Sequence, residues 1–383
     1  MGAMKVMTGR STVGRRLGAV TVSALALVVA MPLTAYASVS STPDSTAKVG
    51  GRVFALAQAG DLTIVGGTFG KVGGKPRSNV AAIRADGKVD ANFLPSTDGK
   101  VDALAVSSDG NTVYIGGRFT TVNGVPRANL AAVDASTGAL IESWRADTGG
   151  FKPDVKALTV FGDRLYVGGS FGGIGGTGLK RLVALDLAGD VDRSFSARPN
   201  RTVQEVKVSP DGSIVYAGGA FTKLGGQPRF TAGSVFASTG NATSFVPQVD
   251  GGNVVTIGLS PDASLFFAST DSNAVFAFQA GVSNSPLCSV KLSRNTQAMA
   301  VSETEIYLGG HFSQVITTKD KRAYFASLNT SDGSVTSWNT LATGGKMGMW
   351  ALLIDGSHLH AGGVFSRFDE VLQCGYAWFS GTP

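Results

Sequence analysis

From residue 51 onward the apolar positions fall in short runs rather than in helical periods. Val, Ala, Leu and aromatic residues gather in stretches such as 101–106, 113–115 and 130–133. Polar punctuation separates them: Ser-Asp-Gly or Pro-Asp-Gly first, then Gly-Gly, then Thr-Gly. No run is long enough for a comfortable helix. The pattern predicts strands joined by tight turns. Ahead of these runs lies a longer apolar segment, residues 17–31.

The strand pattern repeats. Glycine pairs recur at Gly66-Gly67, Gly116-Gly117, Gly168-Gly169, Gly218-Gly219, Gly309-Gly310 and Gly362-Gly363. A phenylalanine follows each pair two residues on: Phe69, Phe119, Phe171, Phe221, Phe312 and Phe365. A tyrosine precedes four of them by two residues, at Tyr114, Tyr166, Tyr216 and Tyr307; Ile64 and His360 take that place in the others. A later aromatic closes most repeats: Phe93, Trp144, Phe195, Phe245 and Trp338. The chain parses into units 51–99, 100–153, 154–200, 201–251, 252–293, 294–345 and 346–383. Four short strands in a repeat of roughly 40–50 residues are the mark of a β-propeller blade. The predicted fold is therefore all-β, a seven-bladed propeller of four-stranded antiparallel blades. The seventh unit ends after its third strand, so residues 39–50 are expected to supply its fourth and close the ring. An open ring would leave two unpaired sheet edges. The fifth unit is degenerate: Phe267-Ala-Ser-Thr270 replaces the Tyr-x-Gly-Gly stretch, and the loop after it is shortened.

The order G-G-x-F, G-x-P-R, L-A-A-x-D, T-G resembles the delta-60 repeat β-propellers of secreted bacterial proteins. The resemblance covers essentially all of 51–383. It implies the propeller fold and no particular activity, since propellers host both binding platforms and enzymes.

Composition sharpens this picture. The 52 glycines in 383 residues are about twice the usual ~7%, as turns fixed at one offset per blade would require. These turns are expected to need positive φ or close backbone approach. The formal charge of +6 is mostly an N-terminal matter. Lys5, Arg10, Arg15 and Arg16 precede the apolar run; Pro32 ends it, and Ala35-Tyr36-Ala37 supplies a small-x-small site. This layout predicts a signal peptide over 1–37, removed on export. The run is shorter than the roughly 20 residues of a membrane span. Gly18 and Ala19 after Arg15-Arg16 favour the general export route over the twin-arginine one. Cleavage would remove four of the 33 basic residues and none of the 27 acidic ones, leaving a net charge near +2. With no basic cluster left, a nucleic-acid partner is not expected. Neither is a membrane anchor, and the mature product, residues 38–383, should be one extracellular propeller domain.

Candidate chemistry is sparse. His358 and His360 alternate along one strand and so share a face, but no third metal ligand is evident, and His360 fills a tyrosine packing position. His311 sits at an interchangeable place in the Gly-Gly-x-Phe stretch. Cys288 and Cys374 lie two blades apart, too far for the ~7 Å a disulfide allows; Cys288 reads as a buried thiol in an aromatic position. Asp109, Asp211 and Asp332 read as turn formers rather than calcium ligands. Arg77, Arg127, Arg229 and Arg322 recur before the third strand, which suggests a structural job such as pairing with a neighbouring blade. The glycine pairs lie in strand-to-strand turns on this reading, with no helix to receive a dinucleotide phosphate. No catalytic residue, metal or cofactor is expected.

Function in a repeat protein is sought where the units differ. Each inner strand has one variable position after an apolar residue: Phe54, Asp102, Lys156, Gln204, Val255, Gln297 and Trp350. These are expected to line the channel or its mouth. Aromatics, opposite charges and amides together suit a polar ligand with a flat apolar face, such as a sugar ring. The shortened loop at Asp271 to Asn273 is expected to leave a notch on the face that carries the loops between second and third strands, and that notch is the leading candidate for the binding region. The reading is a secreted, non-enzymatic platform that binds an extracellular polysaccharide or an envelope protein. A polysaccharide lyase or hydrolase is the first alternative, and a purely structural assembly module the second. A glycosidase needs two carboxylates about 5–9.5 Å apart, and Asp102 is the only acid in the inner-strand set.

Overall fold

The computed structural model describes residues 39–344, 348–356, 358–381 and 383. The expected signal peptide, residues 1–37, lies outside the described residues. Short strands dictate the architecture: each apolar run can bury itself only by pairing with its neighbours in an antiparallel sheet. Seven such sheets succeed one another along the described chain. Their inner strands are Val49–Ala59, Lys100–Val106, Val155–Phe161, Val203–Val208, Val254–Leu259, Thr296–Val301 and Gly348–Ile354. Each pairs with a middle strand, and the middle strand with an outer one; in the fourth sheet these are Ile214–Gly219 and Ala232–Phe236. Each inner strand packs beside the next, and the last packs beside the first. No helix occurs among the described residues.

A fourth, outermost strand is less regular than four equal runs suggested. In five sheets it shrinks to one bridge, such as Ile83 with Val89 or Val235 with Ala242. Among the described residues only the fifth sheet has a full fourth strand, Cys288–Lys291. In the seventh, the N-terminal segment lies along Tyr376–Ser380. Ser40 N–H donates to the Ser380 carbonyl at 2.8 Å, and Asp44 N–H to the Trp378 carbonyl at 3.0 Å. Val39 is buried there among Trp338, Phe368 and Phe379. Val49 and Gly50 already belong to the inner strand of the first sheet.

The core is distributed. Seven clusters of buried residues form among the described residues, one at each seam between successive sheets. The repeated tyrosine and the later aromatic meet there: Tyr114 and Trp144 lie 5.5 Å apart, Tyr307 and Trp338 also 5.5 Å. The second pair is edge-to-face, and such a pair stabilises a seam by ~0.5–1.5 kcal/mol beyond its buried area.

The glycine pairs are not turns. Gly218 and Gly219 end a middle strand in extended backbone. A Cβ on Gly218 would lie 2.5 Å from Cγ1 of Val254 in the next sheet. One on Gly219 would lie 2.3 Å from the carbonyl oxygen of Thr202. Close approach, not positive φ, selects glycine here.

Candidate functional site

The close approach at the glycine pair has a cause in the opposite strand. Val203 faces Gly219 and Glu205 faces Gly218, so Gln204 is an extra residue, a β-bulge. The same shift falls at Phe54, Asp102, Lys156, Val255, Gln297 and Trp350. Each variable position is thus the bulged residue of its inner strand. A bulge twists the strand and re-aims one side chain. Here the residue before each bulge is buried, while the bulged one stays half-buried. All seven line one cavity of about 440 Å³, ringed by the inner strands.

The cavity wall is unequal around the ring. Phe54 and Trp350 meet edge-to-face at 5.3 Å, and His311 packs against Trp350 at 5.2 Å. The Lys100 ammonium sits over the Phe54 ring, 3.9 Å from its centroid, and pairs with Asp102. Next around the ring, Asp154 holds both Lys156 at 2.9 Å and Arg118 at 2.7 Å, with its carboxylate closed to solvent. Glu205 pairs with Lys207 at 2.8 Å and accepts from the Thr256 hydroxyl and, at 3.1 Å, the Ile257 N–H. Gln204 and Gln297 add amides to the wall. One oxygen of Asp102 and the indole N–H of Trp350 are buried without a partner among the described residues.

These charges shift one another. Burial and the neighbouring Asp154 raise the Asp102 carboxyl above its ordinary value, against the pull of Lys100. Burial would raise Asp154 too, but Lys156 and Arg118 outweigh it and hold it low. Burial, with the charge of Arg294, keeps the His311 imidazole below its ordinary value. The mouth therefore combines an aromatic wall, fixed charges of both signs, one unpaired donor and one unpaired acceptor. It can stack a flat ring and orient its polar edge.

Several residues were not legible in the sequence. Lys100 and Glu205 flank bulges and enter the wall beside them. Arg118 and His311 occupy the variable place in Gly-Gly-x-Phe, and both reach the next sheet, at Asp154 and Trp350. That contact between units was the missing signal, because repeat alignment compares equivalent positions and not neighbours. The shortened loop lies apart from the cavity. Residues 271–273 form a tight turn between Leu265–Thr270 and Ala274–Gln279. The short strand pairs that decorate this region in other sheets are absent from the fifth among the described residues. Asp271, however, is occupied by its own sheet: it accepts from Asn253 N–H and Nδ2–H, each at 3.0 Å. Neither Asp271 nor Asn273 lines the cavity.

Other expectations are corrected. Arg127 is buried and structural, but it serves its own sheet, donating to the carbonyls of Pro126 and Glu142 at 2.9 Å each. Arg77, Arg229 and Arg322 repeat the arrangement. Cys288 and Cys374 are free thiols, and Cys288 is half-buried rather than enclosed. A third group does join the two histidines. Asp355 Oδ2 lies 2.9 Å from His360 Nε2 and 3.3 Å from His358 Nδ1. Burial holds His360 below its ordinary value, while Asp355 pulls the other way.

Comparison with known proteins bears on the fold. Residues 63–93 match the family described as a domain of unknown function (DUF5122) β-propeller. Among curated proteins no match is found. A solved structure, the WD40 β-propeller domain of Doa1, is similar over 90% of this chain and 97% of its own, at 12% identity and a TM-score of 0.60. That similarity speaks to fold alone. The chain has a β-propeller fold.

Proposed function

We propose that this chain is a secreted, seven-bladed propeller, akin to the delta-60 repeat proteins, that binds an extracellular ligand without transforming it. The fold suits an interaction platform in general. The observation that carries the reading is the ring of bulges. Seven repeats keep the same backbone irregularity, yet no two adjacent ones put the same side chain on it. A bulge maintained for packing alone would favour one residue type. This one presents a mixed aromatic, charged and amide surface to a shared cavity. The chemistry favours a polysaccharide of an envelope or matrix: Trp350 and Phe54 offer stacking faces, and Asp102, Gln204 and Gln297 offer hydrogen bonds to hydroxyls. An envelope protein inserting a side chain is the other partner of this class.

A second reading has one specific support. Asp102 carries a raised carboxyl and shares the cavity wall with Glu205. Two carboxyl groups in one cleft are what glycoside cleavage uses. A screen of envelope polysaccharides for both binding and product release separates the readings. The binding reading expects Trp350→Ala and Asp102→Asn to weaken retention at least tenfold with no product formed by any variant. Product release that Asp102→Asn abolishes would establish the enzyme instead. Full retention by both variants would overturn the cavity as the site.

A further inference from the structure

The cluster at the far end of the seventh sheet is unused by the cavity. It arises from a short pattern, Asp355-x-x-His358-x-His360. Asp355 sits in the turn between Gly348–Ile354 and His358–Val364. The two histidines alternate on the second of these strands and face the same side. The turn folds the carboxylate back onto that side. The Asp355 side chain is 12% exposed, that of His358 30%, and that of His360 0%.

The geometry points to a divalent transition-metal site, and we propose that Asp355, His358 and His360 bind zinc. One donor atom from each residue lies within 4.8 Å of the others. Zinc holds nitrogen and carboxylate oxygen at roughly 2.0–2.2 Å in a tetrahedron. Donors at that radius and angle stand about 3.3–3.5 Å from one another. Asp355 Oδ2 is 2.9 Å from one imidazole nitrogen and 3.3 Å from the other. Two of the three donor pairs thus stand close to that separation and the third lies within 4.8 Å, so adjustment of the partly exposed His358 side chain would seat the ion. The surroundings have the form of a supporting layer. His360 Nδ1 lies 2.7 Å from the buried Tyr376 hydroxyl, which fixes the ring and leaves Nε2 toward the carboxylate. Trp378 stacks on the His358 ring at 5.1 Å and 29°. Outer groups that orient ligating histidines in this way are a regular part of zinc sites. Three protein ligands leave a fourth position open toward solvent, on the side of the partly exposed His358.

The site lies beside the ring's closing seam. His358 pairs with Ser380. Ser380 in turn donates its N–H and hydroxyl to Asp44 of the N-terminal segment. Metal binding should therefore stiffen the sheet that completes the ring.

The test uses the full chain, stripped with a chelator and titrated with zinc or cobalt(II) salts alone. The expected result is one equivalent bound, a visible cobalt band of tetrahedral type that zinc displaces, and a melting temperature that rises with zinc. His358→Ala, at the partly exposed ligand, should lower affinity at least tenfold and abolish most of the zinc-dependent rise in melting temperature. Tyr376→Phe keeps the ring and removes only the outer hydroxyl, and should weaken binding roughly 10–100-fold. No uptake by the wild-type chain would overturn the proposal. So would uptake that His358→Ala leaves unchanged, because the metal would then sit elsewhere and the three residues would form only a hydrogen-bonded packing unit.

Discussion

Gly218 shows how single residues set the register of the ring. Its missing side chain admits Val254 and Ile257 of the next sheet; an added Cβ would stand 2.5 and 2.7 Å from their methyl groups. Gly218→Ala should destabilise the protein by about 1–3 kcal/mol, the usual effect of overpacking a tight seam. Gly70 offers the contrast: an added Cβ meets nothing within 4 Å and the backbone is not left-handed. Gly70→Ala should shift stability by less than about 1 kcal/mol and in the favourable direction. Urea denaturation of both variants checks the pair. The recurrence of these glycines was legible in the sequence, but their reason was not. Spacing shows that a residue is constrained and cannot show whether φ or a neighbour constrains it. The same limit hid Asp355: nothing in Asp-x-x-His-x-His says that the turn folds the carboxylate onto the histidines.

At the scale of the element, the inner hairpins are held by one recurring turn. Asp211 accepts from the Ser209 hydroxyl at 2.5 Å, from Ser213 N–H at 3.0 Å and from the Ser213 hydroxyl at 2.7 Å. Asp262 repeats this with Ser260 and Ser264. These bonds to the ionised form hold both carboxyls down at about 2, against an ordinary 3.8. Because the folded value is depressed, the stabilisation is fully present above 3.8 and is lost as pH falls toward 2. Thermal melts should therefore fall over that window. The double variant Asp211→Asn, Asp262→Asn should melt lower at neutral pH and lose less on acidification; an unchanged acid slope would contradict the assignment. The turn role of Asp211 was legible because Ser-x-Asp-Gly is a local motif; Asp262, followed by Ala263, lacks the glycine and did not stand out. The outermost strand was not, since one bridge and a four-residue ladder leave similar apolar traces.

At the scale of the molecule, stability is spread over seven seams and one closure. The repeats that made the fold legible also explain why the lining of the cavity was legible in part. Variation against a constant background marked Phe54, Asp102, Lys156, Gln204, Val255, Gln297 and Trp350, and one cavity gathers all seven. The same logic pointed to Asp271 and Asn273, where the variation reflects a lost loop and a local turn. Lys100 and Glu205 enter the wall, and Arg118 and His311 support it from behind, through contacts between sheets that no comparison of equivalent positions registers. The central claim is that the bulged residues form a ligand site at one mouth of the ring. The most direct measurement is a crystal structure of the chain with an oligosaccharide fragment of whichever polymer it retains. The expected density is a sugar ring against Trp350 or Phe54, with hydroxyls in reach of Asp102 and the two glutamines. Density confined to the opposite mouth, or to the turn at Asp271 outside the cavity, would contradict the account.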